Sequence, residues 1–144
     1  IHIRDLTPET RGWLVAAEPV HRELRPQLPA DYAHEIEQLL ADRGELLLAV
    51  DSANAVAGVG LFHVARNTVN GRLLHVDDLV VAAAVRSKGV GREMLMWLRL
   101  EASRRDAAGL VLSSETQRAN AHRFFCREGF LLRSLEMHLP LRDT

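Results

Sequence analysis

Leu79-Val80-Val81-Ala82-Ala83-Ala84-Val85-Arg86-Ser87-Lys88-Gly89-Val90-Gly91-Arg92 is the stretch on which the reading of this chain turns. An apolar, β-branched run gives way to a short polar loop, and Val90, Met94, Leu95, Leu98 and Ala102 then recur at helical spacing. The order is strand, loop, helix. Gly89 and Gly91 leave room for a ligand to touch the backbone and permit φ > 0 where the loop needs it. The first amides of a helix point outward, and the macrodipole favours an anion there. Arg86, Lys88 and Arg92 add three cations within a turn of that point. These features together make a diphosphate cradle; a tight turn carrying solvated cations is the plainer reading of the same residues. A nucleoside-triphosphate loop would need Gly-x-x-x-x-Gly-Lys-[Ser/Thr], which does not occur. A dinucleotide fingerprint would need a third Gly or Ala where Met94 stands, and its glycines would not follow antiparallel strands in mid-chain. ATP and NAD are therefore disfavoured.

Working outward, Ile1–Leu6 reads as a strand, and Thr7-Pro8 starts a short helix to about Ala17. Pro19, Pro26 and Pro29 predict a loop-like or broken Glu18–Ala30, and Asp31 caps a firmer helix to about Asp42. Strands follow at Glu45–Asp51, Ala55–Ala65 and Arg72–Ala82, separated by turns at Ser52–Asn54 and Asn67–Gly71. Behind the quoted stretch, the helix runs to about Arg105, then come a strand at Gly109–Ser114, a helix at Gln117–Glu128 and an extended Phe130–Leu139. This is one mixed α/β domain over residues 1–144, antiparallel in front with a βαβ unit behind. The 144 residues carry 18 Lys+Arg against 19 Asp+Glu, a formal charge of -1, which lacks the basic footprint of a nucleic-acid binder. Any anion is then held by a local arrangement. No apolar run reaches the ~18 residues of a membrane span. A single cysteine, Cys126, excludes an intramolecular disulfide, and with no signal peptide evident the expected setting is cytoplasmic. His2, His21, His34, His63 and His138 lack metal-ligand spacing, so no metal site is expected.

Arg86-x-x-Gly89-x-Gly91, between a hydrophobic strand and an amphipathic helix, resembles the acyl-CoA loop of the GNAT N-acetyltransferases. Ala121-His122-Arg123-Phe124-Phe125-Cys126-Arg127-Glu128-Gly129-Phe130 resembles the Ala-x-x-Phe-Tyr-x-x-x-Gly-Phe block of the same family. The two motifs stand at the separation the family shows. The resemblance implies a single-domain GNAT-like α/β (α+β) fold: a mixed sheet with antiparallel N-terminal strands, a splayed parallel pair and helices on both faces. It implies acetyl-CoA as co-substrate, with its pyrophosphate on the amides of Ser87, Lys88, Gly89, Val90, Gly91 and Arg92, beside Arg86. Leu79, Val80 and Val81 would offer strand backbone to the pantetheine arm, with Leu110–Ser114 as the parallel partner. Arg118 matches a cofactor-facing position, and the Ala-His-Arg-Phe string is similar to one in aminoalkylphosphonate acetyltransferases. The implied partner is a small-molecule primary amine, with no nucleic acid and no membrane; homodimerisation is common in the family.

Acetyl transfer needs a neutral amine, and a lysine-like amine of pKa ~10.4 is roughly 4–5 kcal/mol from that form at neutral pH. A carboxylate or histidine beside the acetyl carbonyl can take the proton. In Leu74-His75-Val76-Asp77-Asp78-Leu79, simple alternation puts His75 and Asp77 on one face and Asp78 on the other, unless a β-bulge intervenes. Relatives carry a catalytic group at positions matched by these three, taken here in the order Asp77, His75, Asp78. The tyrosine that protonates the thiolate in relatives is replaced by Phe125, so no general acid is assigned; Tyr32 is the only tyrosine. An acceptor pocket is expected between Val20–Tyr32 and Leu131–Met137, where Arg22, Arg25 and Arg133 could meet an acidic group. The alternatives are a non-catalytic CoA-binding module, which Phe125 favours, and a protein N-terminal acetyltransferase.

Overall fold

The structure is a computed structural model describing residues 1–142. Its elements run β1 (His2–Ile3), α1 (Pro8–Leu24), α2 (Tyr32–Ala41), β2 (Glu45–Val50), β3 (Val56–Asn67), β4 (Gly71–Val81), a 3₁₀ turn (Ala83–Val85), α3 (Val90–Arg104), β5 (Leu110–Leu112) and α4 (Ala119–Arg127). The chain divides into two compact units, Ile1–Leu112 and the remainder from Ser113.

In the first unit the strands lie in the order β1-β2-β3-β4-β5, antiparallel through β4 and parallel between β4 and β5. The expected mixed sheet is therefore present. Period-two alternation sends Leu46, Leu48, Val59, Leu61 and Val80 to one face, where they pack with Leu14, Ala17 and Val20 of α1 and Tyr32 and Ile36 of α2. The opposite face receives α3. Phe62 meets Trp97 at 5.9 Å, and Gly58 and Gly60 leave space for Met94. Gly58 is required there, since a Cβ on it would stand 2.6 Å from the Met94 sulfur.

Thr7 and Thr10 form a capping box at the start of α1, with Pro8 at its first turn. The helix does not stop near Ala17 as expected but continues through Pro19 to Leu24. Proline removes one intrahelical hydrogen bond. Ala17, Val20 and His21 are nevertheless buried at helical spacing on both sides of it, and that burial offsets the loss. Two further expectations are corrected. β1 is only two residues of the expected Ile1–Leu6, and β5 ends at Leu112 rather than Ser114.

In the second unit α4 ends in a Schellman motif. The Gly129 amide, at φ 97°, donates to Cys126 O, and the Phe130 amide donates to Phe125 O at 3.0 Å. Phe125 and Phe130 supply the accompanying apolar contact, their rings 5.6 Å apart. Phe125 and the Gly129-Phe130 pair are thus a helix stop, whatever else they do. Phe130–Leu139, expected to close the chain as a strand, joins no ladder among the described residues.

Candidate active site

β4 carries an irregularity that alternation alone would not show. Leu61 pairs with Asp78 but its neighbour Phe62 pairs with Val76, which leaves Asp77 as an extra residue, a β-bulge. The bulge resets the phase of the strand. His75 lies opposite His63, and Asp78 lies opposite Leu61, so both belong to the face covered by α1 and α2. The expectation that Asp78 points away from His75 is therefore corrected. Asp77 leans to the same side, its Oδ2 2.7 Å from His63 Nδ1. The His63 and His75 rings stack at 4.7 Å and 9°. Burial, and then the neighbouring His63, hold the His75 imidazole below its ordinary pKa, with Asp77 pulling partly back.

Asp78 is committed elsewhere. Its two oxygens accept from His21 Nε2 at 2.7 Å and from Arg25 Nε at 2.9 Å. His21 is fully buried, and its Nδ1 lies 2.7 Å from the Tyr32 hydroxyl. With Nε2–H donating to Asp78, Nδ1 and the Tyr32 hydroxyl share the second hydrogen bond of the ring. Burial would raise the Asp78 pKa, but the hydrogen bond and charge of His21 and the Arg25 guanidinium outweigh it, and the carboxyl sits below its usual range. Burial, reinforced by Glu18 and Asp78, raises the Tyr32 pKa and keeps its hydroxyl protonated.

The ladder from β4 to β5 stops at Val76 and Leu112, immediately before the bulge. Beyond it Asp78–Val81 pair with β3 alone, so that edge of Leu79–Val81 has no strand partner among the described residues. The strand then runs into the loop. The Ala83 amide donates to Glu23 Oε1 at 2.9 Å, and Arg86 reaches the same oxygen at 3.4 Å and Val81 O at 3.3 Å. Arg86 thus braces the loop against α1 and β4. Ser87 sits at φ 65°, which costs a non-glycine residue on the order of 1–2 kcal/mol. Gly89 caps α3 at φ 88° and ψ 2°, with nothing within 4 Å of where a Cβ would be. The first intrahelical bond is made by the Glu93 amide, so the Val90, Gly91 and Arg92 amides precede the ladder at an open helix terminus. An open glycine, outward amides and an unladdered strand edge are chemically suited to a diphosphate on an extended polar arm. Arg118 caps α4 in the second unit, accepting from the His122 amide at 3.1 Å.

Three residues here escaped the sequence reading. His21 and Glu23 lie on the last turns of α1, in the stretch read as a loop; the stripe Ala17, Val20, His21, Leu24 running through Pro19 was the available signal. His63 had none, because its value comes from a cross-strand pairing and a bulge. Arg25, considered for an acceptor's acidic group, is paired with Asp78. Arg22 is used on Glu18 and on the Leu28 and Pro29 carbonyls. Among the described residues no group of three His, Cys, Asp or Glu is placed to hold a metal ion, and no helix is long and apolar enough to cross a membrane.

The strand order and the short parallel pair define a mixed α/β fold whose sheet opens beyond Val76 and Leu112. A model of the acetyltransferase (GNAT) family matches residues 8–130, and the chain belongs to that family; it is an acyltransferase. It is 31% identical over 144 residues to the uncharacterized N-acetyltransferase YhdJ of Bacillus subtilis, covering 98% of this chain and 99% of that one. A shorter likeness, 36% over 55 residues, links 38% of this chain to 36% of the aminoalkylphosphonate N-acetyltransferase of Salmonella typhimurium. Among solved structures, the aminoglycoside N-acetyltransferase AAC(6')-Iy in complex with CoA superposes with a TM-score of 0.80 at 15% identity, covering 92% of this chain and 91% of that one.

Proposed function

We propose that this protein transfers the acetyl group of acetyl-CoA to a primary amine of a small molecule, by direct attack in a ternary complex. The observation that carries the reading is the bulge at Asp77, which stands where the β4–β5 ladder ends. A carboxylate is thereby presented beside an unladdered strand edge that leads to the Gly89 loop. The amides of Ser87–Arg92 would receive the diphosphate, with Lys88 and Arg92 adding charge, and the backbone of Leu79–Val81 the pantetheine arm. Bound acetyl-CoA supplies the activated acyl carbon. A strand amide near Leu79–Val81 would stabilise the oxyanion. Asp77, with His75 beside it, is the carboxylate of the proton path that leads away from the amine. Asp78, held by His21 and Arg25, anchors the strand behind the bulge. A small amine as acceptor is supported by the aminoalkylphosphonate and aminoglycoside N-acetyltransferases that this chain resembles, since both of those substrates carry one. The family match runs through both units, which supports one transferase domain. A reducing cytoplasm is the setting in which exposed Cys126 stays a thiol.

The test mixes protein, acetyl-CoA and a panel of small amines while following free thiol. Asp77→Asn is expected to lower kcat by roughly a hundredfold or more with acetyl-CoA binding retained. An unchanged rate at every pH removes Asp77 from the chemistry. A second reading, a CoA-binding module without turnover, draws on Phe125, which has no proton to give a thiolate. It predicts acetyl-CoA binding with no thiol release across the panel.

A further inference from the structure

The residue that the site places next to Asp77 is on another strand. We infer that His63 is the first acceptor of the amine proton, with Asp77 orienting its ring; this rests on the acetyl-transfer reading above. Asp77 Oδ2 lies 2.7 Å from His63 Nδ1. An ionised carboxylate only accepts, so Nδ1 carries the proton and donates it. The ring's lone pair is then on Nε2, the atom the Asp77 bond leaves for chemistry. A carboxylate behind an imidazole sets the tautomer, holds the ring and stabilises the imidazolium once it forms. His75 fixes the plane of the ring by stacking on it at 4.7 Å. Burial and the charge of its neighbour disfavour a proton on His75. The side chains of His63 and Asp77 are 35% and 42% exposed, which leaves the ring open to a small solute. His21, in contrast, has a carboxylate partner as well but is fully buried, with both nitrogens engaged.

In the step itself, the amine nitrogen bonds to the acyl carbon and its proton passes to His63 Nε2, directly or through one water. The carbon–sulfur bond breaks, and the imidazolium proton returns through solvent to the thiolate. Amine and thioester become amide and thiol, with no further reactant. Phe125 need donate nothing on this route.

Two measurements test it. Selective ¹⁵N-histidine labelling reads the tautomer without any acceptor, with the His63 signals assigned as those missing from His63→Asn. The expected neutral ring has its proton on Nδ1; a proton on Nε2 overturns the inference. In turnover, His63→Asn keeps an amide donor for Asp77 but has no base at the Nε2 position. Its kcat should fall roughly a hundredfold with the KM for acetyl-CoA held. A kcat equal to wild type would mean that His63 only positions Asp77. If the wild type acetylates no amine, acetyl transfer fails as a reading, and the tautomer still decides the His63 assignment.

Discussion

Replacing Asp78 by alanine separates the anchoring carboxylate from the one proposed for chemistry. Asp78 accepts hydrogen bonds from buried His21 and from Arg25, at 2.7 and 2.9 Å. Each such bond to a charged acceptor contributes about 1.5–3 kcal/mol net, and deleting one member of a buried pair costs about 3–5 kcal/mol because its partner is left unsatisfied. The Arg25 side chain is 28% exposed and can turn to water, whereas His21 is fully buried and cannot. The lower half of that range applies, about 3–4 kcal/mol, or roughly a 10 °C fall in Tm for a chain of this length. Asp78→Asn keeps one acceptor and should lose about half as much. Urea unfolding at pH 7 followed by tryptophan fluorescence suits the purpose, because both tryptophans, Trp13 on α1 and Trp97 on α3, belong to the first unit. The folded pKa of Asp78 is depressed, so its stabilisation is complete above the unfolded value of about 3.9 and is lost as pH falls through the lower folded value. The gap between wild type and Asp78→Ala should therefore narrow below about pH 4. A gap under about 1 kcal/mol at pH 7, or one that does not narrow between pH 4 and pH 2, would refute the anchoring argument.

Gly89→Val forces a β-branched residue into φ 88°, at the point where the α3 amides open to solvent. Calorimetry should show acetyl-CoA binding weakened at least tenfold; unchanged affinity would put the diphosphate elsewhere. Gly58→Ala places a Cβ 2.6 Å from the Met94 sulfur and 3.2 Å from the Val80 carbonyl oxygen. Overpacking of this kind costs about 1–3 kcal/mol, and Met94→Ala in the same chain should recover part of it in thermal melts.

How much of this molecule could be read along the chain depends on the range of the interaction involved. The quoted stretch from Leu79 to Arg92 was legible because glycine spacing, apolar periodicity and capping act within one or two turns. α3 begins at Val90 and Gly89 takes the left-handed conformation the loop called for. The element order was legible for the same reason, since turns and amphipathic repeats are local. Pro19 misled, because a local helix-breaking penalty competes with burial of Val20 and His21 that exists only once the sheet has formed.

What the sequence by itself determined is the mixed sheet, the open helix terminus and the presence of His75, Asp77 and Asp78 on the strand before it. What only the tertiary structure decided is which partners each of them meets. A single extra residue in β4 moves Asp78 onto the α1 face, where His21 and Arg25 engage it, and sets Asp77 against His63, 14 residues away in sequence. Register is a property of two strands and not of one. The pattern of a lone strand fixes which residues alternate, while its partner fixes where the alternation slips, and with it the side to which each carboxylate turns.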